Sequence, residues 1–262
     1  MIYVCIPSHN EASTVGLLLW KVRQVFAAFP REYQLLVLDD GSTDTTAEVL
    51  ERYTRVLPLT VIRHAERQGY AASVEALLRR AVELTDRPKR DAAILMHADF
   101  VHNPQIIPDL VRRIESGADL VIAEGRVSGE PSWPARLARR YAPLLLRGVV
   151  TVPGVGDLVT GFAAVRLVAL RNALRSQAGR LLVTDGWAAN AELYWRAGRY
   201  ARRIETVASV ERHDLRTRPS RIHARDVVGD LWRARRALRD APVPPAPPES
   251  AARREVEAGA PS

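Results

Sequence analysis

Short apolar runs alternate with longer segments of helical periodicity through the first half of the chain. Several of these runs end at proline, glycine or acidic residues, as buried strands do. Between them, apolar residues recur every three or four positions, which predicts helices with one buried face. We predict strands at residues 2–6, 34–38, 59–62, 92–96 and 120–123. We predict helices at residues 11–29, 43–53, 69–84 and 104–115. This alternation is typical of βαβ units and of a mostly parallel sheet.

The pattern loosens after about residue 125. We predict helices at residues 133–147, 167–174, 186–197 and 222–238. We predict a strand at residues 161–165, an edge strand at 201–207 and a Gly/Pro loop at 152–157. Residues 241–262 are rich in proline and alanine and have no apolar periodicity, so we expect a disordered tail after one α/β domain over 1–240.

Composition sets limits on the class of protein. The 262 residues suffice for one large domain, and 47% hydrophobic with 26% charged residues exclude a disordered chain. The single cysteine, Cys5, excludes an intrachain disulfide framework. No apolar run approaches the ~18 residues of a membrane-spanning helix, and no basic leader precedes the first strand. We therefore expect a cytoplasmic protein.

The formal charge of +8 is unevenly distributed. Residues 1–100 carry 12 basic and 13 acidic side chains, whereas residues 199–239 carry 12 basic and 5 acidic ones. No recognised nucleic-acid motif accompanies the basic segment, so we expect no nucleic-acid partner.

Polar side chains cluster where three predicted strands end. These are Ser-His-Asn-Glu at 8–11, Asp-Asp-Gly-Ser at 39–42 and His-Ala-Asp at 97–99. Ligands of open α/β sheets bind at the carboxyl ends of parallel strands. Carboxylates gathered there repel one another unless they meet a cation or accept hydrogen bonds. Each stretch alone is also typical of a turn or helix cap, but the three in order predict a site for a metal-bound diphosphate.

Four segments together resemble the family 2 glycosyltransferases of the GT-A fold, and within them the polyprenyl (dolichyl) phosphate mannosyltransferases. The segments are Ile-Pro-Ser-His-Asn-Glu at 6–11, Val-Leu-Asp-Asp-Gly-Ser-Thr-Asp at 37–44, His-Ala-Asp-Phe-Val-His-Asn-Pro at 97–104 and Gly-Asp-Leu-Val-Thr-Gly-Phe at 156–162. The resemblance covers about residues 1–238. It implies a GT-A (Rossmann-like), mostly parallel central sheet flanked by helices. Residues 1–125 would form the nucleotide-sugar-binding half and residues 126–240 the acceptor-side half.

The resemblance also implies which residues bind the donor. They are Pro7, Asn10, Glu11, Asp39, Asp40, Arg67, Gly69 and Ala98. Asp39 can accept hydrogen bonds from a base edge or a ribose hydroxyl. A helix that starts at Gly69 would direct its positive end at phosphate.

The same resemblance makes Asp99 a ligand of Mg²⁺ or Mn²⁺, but His97 departs from the Asp-x-Asp that the family usually has. Imidazole can bind Mn²⁺ and suits Mg²⁺ poorly. Three interpretations follow. Metal binding is retained with a preference for Mn²⁺, or His97 contacts the phosphate or sugar directly, or the chain is a catalytically impaired homologue.

The implied reaction transfers a sugar from a nucleotide donor with inversion at the anomeric carbon. A hydroxyl acceptor needs a carboxylate base, whereas a lipid phosphate is already anionic. The base candidates are Asp185 and Glu192, which are also typical of a helix cap and of a structural carboxylate. Asp157 matches the aspartate of the acceptor-side motif, where it would act or orient an arginine.

Arginines in the second half suit phosphate-bearing substrates as a group, although each alone is typical of a solvated face. Arg126 matches an arginine in the family's Gly-x-Arg segment. The others are Arg136, Arg139, Arg140, Arg216 and Arg221, the last beside Ser220. The predicted helix at 222–238 has apolar and basic faces, so it either packs on the domain or lies on an anionic membrane.

The leading hypothesis is transfer of a sugar, with mannose as the first guess, from a nucleotide-sugar to a polyprenyl phosphate. Such an acceptor implies peripheral contact with the inner face of the membrane. The alternatives are a sugar or small-molecule hydroxyl as acceptor, and a catalytically silent nucleotide-sugar-binding module.

Overall fold

The computed structural model describes residues 1–128, 141–142, 144–146, 148–177, 179–212 and 224–240. The predicted tail at 241–262 and most of the predicted helix at 133–147 lie outside these ranges.

The described residues form a seven-stranded sheet in the order β3-β2-β1-β4-β6-β5-β7. The strands are β1 (Ile2–Ser8), β2 (Tyr33–Asp40), β3 (Leu59–His64), β4 (Ala92–Leu95), β5 (Leu120–Ser128), β6 (Ala163–Arg166) and β7 (Ile204–Arg212). Strand β6 pairs antiparallel with β4 and β5, and the other pairings are parallel. The predicted mostly parallel sheet is therefore confirmed, with β7 at an edge as expected.

Helices cover both faces of the sheet. They are α1 (Val15–Ala28), α2 (Thr46–Thr54), α3 (Tyr70–Leu84), α4 (Ile107–Glu115), α5 (Leu167–Arg175), α6 (Gly186–Gly198) and α7 (Ala224–Asp240). Helix α1 begins four residues later than predicted because Glu11 closes a turn, accepting hydrogen bonds from the N–H groups of Thr14 and Val15. Residues Pro104–Ile106 form a 3₁₀ turn ahead of α4, where proline lacks the N–H that would continue an α-helix backwards.

Side chains of the central strands alternate between two apolar layers, as the period of two in a strand requires. Tyr3 and Cys5 of β1 face the layer covered by α3, α5, α6 and α7, whereas Val4 and Ile6 face the layer covered by α1 and α4. Burial on both faces explains why these strands are continuous apolar runs in the sequence.

Arg166 fixes the reversed strand β6 to its surroundings. Its Nε donates to Asp119 Oδ1 at 2.7 Å, and its terminal nitrogens donate to the carbonyls of Lys89 and Ala118 at 2.9 and 2.8 Å. One guanidinium therefore satisfies backbone acceptors on two separate segments, which a lysine cannot do with the same geometry.

We expect Arg166→Lys to lower the free energy of unfolding by about 1–3 kcal/mol, because backbone carbonyls lose their partner. Urea denaturation measures the effect. Arg80→Lys is the matched control, since Arg80 makes an exposed pair with Glu83 and should change stability by less than about 0.5 kcal/mol. Equal changes in the two variants would contradict the role given to Arg166.

Candidate functional site

The ends of β1, β2 and β4 meet at one cleft, as the sequence predicts. Its lining residues are Pro7, Ser8, His9, Glu11, Asp40, Arg67, Tyr70, Ser73, His97, Ala98 and Asp99. Seven of these were predicted site residues, now brought to one edge of the sheet: Pro7, Glu11, Asp40, Arg67, His97, Ala98 and Asp99.

Asp40 connects the end of β2 to the loop that begins α3. Its Oδ1 accepts from the N–H of Gln68 at 2.8 Å and lies 2.7 Å from Nδ1 of His64, and its Oδ2 accepts from the N–H of Gly69 at 2.9 Å. Burial raises the pKa of this carboxyl, but the hydrogen bonds from Gln68, His64 and Gly69 outweigh burial and lower the pKa below the ordinary value.

Two glycines let this loop lie close to β2. Gly41 has φ +60, and a Cβ there would lie 2.6 Å from the backbone nitrogen of Arg67. Gly69 has φ +98, in the region that favours glycine. The guanidinium of Arg67 then lies exposed at the cleft, with no carboxylate partner in the described part of the chain.

Asn10 and Asp39 shape the loop beside the cleft and are not among its lining residues. Asn10 Oδ1 accepts from the N–H groups of Thr43 and Asp44 at 2.8 and 3.3 Å. Asp39 is buried, and its Oδ1 accepts from the N–H of Ser42 at 3.2 Å. Direct contact of either side chain with a nucleotide stays a prediction.

Glu11 lines the cleft although only 6% of its surface is exposed. Its Oε2 accepts from the hydroxyl of Thr14 at 2.9 Å, and its backbone N–H donates to Thr46 Oγ1 at 2.9 Å. These contacts fix the turn that separates β1 from α1.

His97 is enclosed by three neighbours. Its Nε2 lies 3.0 Å from the hydroxyl of Tyr70, and its backbone N–H donates to Nδ1 of His102 at 3.1 Å. A Cβ at position 161 would lie 2.2 Å from Nε2, so only Gly161 leaves room for the ring. This contact gives a physical reason for the glycine in the Thr-Gly-Phe stretch. It also means that Nε2 is not available to a metal ion.

Asp99 lies on the other side of Ala98 and is buried at the cleft. Its Oδ1 accepts from the N–H of Val101 at 3.3 Å, across a turn in which Phe100 has φ +63. Within the described ranges, no group of three or more His, Cys, Asp or Glu side chains is placed to hold a metal ion. Asp99 is a carboxylate and His97 an imidazole, which together suit Mn²⁺ better than Mg²⁺. A bound diphosphate or water could supply further ligands.

Asp157 orders the loop that precedes β6, where the sequence predicts an acceptor-side motif. Its Oδ1 accepts from the N–H groups of Val159 and Thr160 at 3.0 and 3.1 Å. Glu124 Oε1 accepts from the N–H of Gly156 at 2.6 Å. Asp157 is not among the residues that line the cleft.

Asp185 caps a helix other than the one it precedes. It makes no side-chain cap for α6, and its Oδ1 instead accepts from the N–H of Ala71 in the first turn of α3, at 2.9 Å. A Cβ on Gly69 would lie 2.9 Å from Asp185 Oδ2, so this carboxylate lies against the loop that carries Arg67.

Glu192 is fully buried in α6 with both oxygens engaged. Oε1 accepts from Nε of Arg196 at 2.8 Å. Oε2 accepts from the N–H groups of Val183 and Thr184 and from the Thr184 hydroxyl, at 3.0, 2.9 and 2.8 Å. This geometry favours the structural carboxylate over the base among the two alternatives.

The acceptor-side arginines are mostly beyond what the structure describes. Arg126 lies on β5, and its side chain is outside the described set. The other candidates, Arg136, Arg139, Arg140, Arg216, Ser220 and Arg221, lie outside the described residues.

Comparison with a model of a protein family identifies the family of this chain. The model of the family described as Glycosyl transferase family 2 matches residues 3–174, which is more than half of the chain. The chain belongs to glycosyl transferase family 2.

Several family 2 relatives act on polyprenyl phosphates by name. Dolichol-phosphate mannosyltransferase of Pyrococcus furiosus is 27% identical over 168 residues, covering 62% of this chain and 45% of the relative. Undecaprenyl-phosphate 4-deoxy-4-formamido-L-arabinose transferase of Pseudomonas aeruginosa is 31% identical over 147 residues, covering 52% and 40%. Polyprenol monophosphomannose synthase of Mycolicibacterium smegmatis is 28% identical over 208 residues, covering 74% and 71%. The chain thus spans less than half the length of the first two relatives.

Solved structures confirm the GT-A fold. Glucosyl-3-phosphoglycerate synthase from Mycobacterium tuberculosis, in complex with Mn²⁺, UDP and glucosyl-3-phosphoglycerate, has a TM-score of 0.59 at 21% identity, covering 91% of this chain and 78% of that one. Residues 1–349 of S. aureus TarS in complex with UDP have a TM-score of 0.57 at 16% identity, covering 92% and 66%.

This family 2 member has cleft residues that the sequence did not reveal. Tyr70 and Ser73 lie on α3 and reach the cleft. Ser8, which belongs to the predicted polar stretch at 8–11, also lines the cleft and has a buried hydroxyl without a hydrogen-bond partner in the described structure. Asn190 lies behind them on α6 and accepts from Tyr70 at 2.8 Å. The helical pattern that follows Gly69 could have drawn attention to Tyr70. Its partner Asn190 lies 120 positions away, so no local pattern in the sequence indicates their contact.

The lowered pKa of Asp40 predicts a pH dependence of stability. Its ionised form stabilises the fold above the unfolded-state pKa, near 3.8, and that contribution is lost as pH falls through the lower native pKa. We expect Asp40→Asn to cost about 2 kcal/mol at pH 7, because an amide cannot accept both loop N–H bonds. The difference in the free energy of unfolding between this variant and wild type should become smaller in acid, which urea denaturation at several pH values would measure. Asp86→Asn, at an exposed carboxylate, is the control. A difference between Asp40→Asn and wild type that does not change with pH would contradict the role given to Asp40.

Proposed function

We propose that this family 2 member transfers a sugar, with inversion, from a nucleotide-sugar to a polyprenyl phosphate, and that GDP-mannose is the first donor to test. Three relatives are named for transfer to dolichol phosphate, undecaprenyl phosphate or for polyprenol monophosphomannose synthesis. Two structural neighbours bind UDP, one of them with Mn²⁺. The cleft at the ends of β1, β2 and β4 is the site proposed for the donor.

The choice of a phosphate acceptor rests on the bonds that the two base candidates already make. Asp185 caps α3, and Glu192 is buried in an ion pair. A hydroxyl acceptor would need one of them to take its proton. A phosphate acceptor attacks without losing a proton, so it is compatible with both carboxylates keeping their structural bonds.

In the proposed reaction, an oxygen of the acceptor phosphate forms a bond to the anomeric carbon from the face opposite the leaving group. The bond from that carbon to the donor diphosphate breaks, and the nucleoside diphosphate leaves with the electron pair. The guanidinium of Arg67 stabilises its charge. Asp99 and His97 would hold the divalent ion, which supplies a Lewis acid for the diphosphate when bound.

The exposed side of α7 is proposed to meet the membrane that holds the acceptor. Leu231, Ala234 and Leu238 are buried against the domain, whereas 63% of Trp232 is exposed. Arg236 and Arg239 are exposed on the same helix. Tryptophan beside arginines suits the interface of an anionic membrane. No helix among the described residues is both long and apolar enough to span a bilayer.

Asp185→Asn separates the two acceptor classes, because asparagine can still accept from Ala71 but cannot act as a base. We expect transfer from labelled GDP-mannose to polyprenyl phosphate to stay within about threefold of wild type, whereas loss of a base costs 10²–10⁴-fold. Transfer is measured with lipid-phosphate and hydroxyl acceptors and either Mn²⁺ or Mg²⁺. A large loss, or transfer only to hydroxyl acceptors, would favour the hydroxyl reaction. Nucleotide binding without transfer from any donor would identify a silent module.

Trp232→Ala tests the membrane contact. We expect the full chain to co-sediment with vesicles containing phosphatidylglycerol, and the variant to bind them several-fold more weakly because it loses a large apolar side chain at the interface. Trp20→Ala is the matched control, since 42% of Trp20 is exposed on α1. Equal binding by all three proteins, or no binding by wild type, would refute this surface.

A further inference from the structure

A chain of hydrogen bonds runs from the donor cleft to the acceptor-side loop. His97 Nε2 and the Tyr70 hydroxyl are 3.0 Å apart, and that hydroxyl is 2.8 Å from Asn190 Oδ1. Asn190 Nδ2 in turn donates to the carbonyl of Val159 at 3.0 Å. Asn190 is 1% exposed, so these bonds form away from solvent.

The direction of each hydrogen bond follows from the carbonyl of Val159, at one end of this series of hydrogen bonds. A carbonyl only accepts, so the amide of Asn190 presents its nitrogen to Val159 and its oxygen to Tyr70. That oxygen also only accepts, so the Tyr70 hydroxyl donates its one proton to Asn190. Nε2 of His97 must therefore be the donor to the Tyr70 oxygen, and the neutral ring carries its lone pair on Nδ1.

The hydroxyl of Tyr70 keeps its proton for this role. Burial raises the pKa of Tyr70 and outweighs the lowering by the hydrogen bond with Asn190, and the charges of Asp99 and Asp185 raise it further. Gly161 also lies against Nε2, since a Cβ at that position would be only 2.2 Å from this atom. The imidazole is thus restrained in both position and tautomer.

We propose that Tyr70, anchored by Asn190, is a positioning residue that holds His97 as the Nε2–H tautomer and so assigns Nδ1 as the nitrogen for a divalent metal ion at the donor cleft. Metal-binding histidines commonly donate their second ring N–H to a neighbouring acceptor, which orients the ring. This inference rests on the proposed function for its metal and donor, but the tautomer itself does not depend on either.

The tautomer is tested first, on the full chain without nucleotide or metal. Long-range ¹H–¹⁵N spectra of ¹⁵N-histidine-labelled protein at pH 8 distinguish the two neutral forms, and His97→Ala identifies the His97 signals. We expect the Nε2–H form in wild type and a mixture of forms in Tyr70→Phe, which removes only the hydroxyl. Predominance of the Nδ1–H form in wild type, or an unchanged spectrum in Tyr70→Phe, would overturn the inference even if the proposed function holds.

The metal-side role is tested by calorimetric titration with GDP and with UDP, in Mn²⁺ and in EDTA. We expect Tyr70→Phe to weaken Mn²⁺-supported binding by about three- to tenfold, the value of one hydrogen bond, and to weaken binding in EDTA by less, so that the gain in affinity from Mn²⁺ becomes smaller. Asp99→Ala should remove the response to Mn²⁺. Tyr33→Phe is the matched control, since Tyr33 stacks on Phe26 at the start of β2, far from the cleft end of that strand.

A double-mutant cycle decides whether Tyr70 acts through His97. In the His97→Ala background, Tyr70→Phe should have no further effect on Mn²⁺-supported binding. The same three- to tenfold loss in that background, or an equal loss in Mn²⁺ and EDTA, would show that Tyr70 only supports the fold. Failure of wild type to bind either nucleotide would instead count against the proposed function, and the spectra would still decide the tautomer.

Discussion

The cleft depends on the bonds that the Asp40 carboxylate makes to the start of α3. Strand β2 ends at this residue, and without an acceptor there the N–H groups of Gln68 and Gly69 would be left unpaired in a partly buried loop. Because these bonds fix where α3 begins, they also fix Arg67 and Tyr70 relative to the strand ends. Asp185 fixes the same helix from the acceptor side through Ala71. One helix terminus is therefore determined by carboxylates from both halves of the chain.

The elements of the fold could be predicted because they follow from local patterns. Buried strands such as β1 and β2 are apolar runs, and α3 shows the spacing of one buried face. Their ends were less predictable. Helix α1 starts at Val15 rather than at residue 11, after a turn in which the Glu11 carbonyl accepts from the N–H groups of Thr14 and Val15. The meeting of three strand ends followed from parallel topology, which is why most lining residues were foreseen.

The roles of individual carboxylates could not be predicted in the same way. Asp39 and Asp40 are adjacent, yet only Asp40 lines the cleft, since successive side chains of a strand point to opposite faces. Asp185 precedes a helix and has the residue type of a cap, but the helix that it caps is α3, 114 positions earlier. Such pairings are set by packing between elements, and no periodicity in the sequence encodes them.

The charge of the cleft argues for a cation beside any bound diphosphate. Among the described residues, Glu11, Asp40 and Asp99 contribute three carboxylates to its lining, and Arg67 contributes one guanidinium. Asp40 is fully engaged by N–H groups and His64, which disperses its charge but does not remove it. The resemblance implies an aspartate where this chain has His97, and a neutral imidazole there would make the cleft less negative by one charge and so less repulsive to phosphate. A bound diphosphate would place further negative charge beside the buried carboxylate of Asp99, and two anions at short range in a partly buried site repel strongly. A divalent ion held by Asp99 would offset both charges at once, and the imidazole of His97, with its lone pair on Nδ1, would share in holding it.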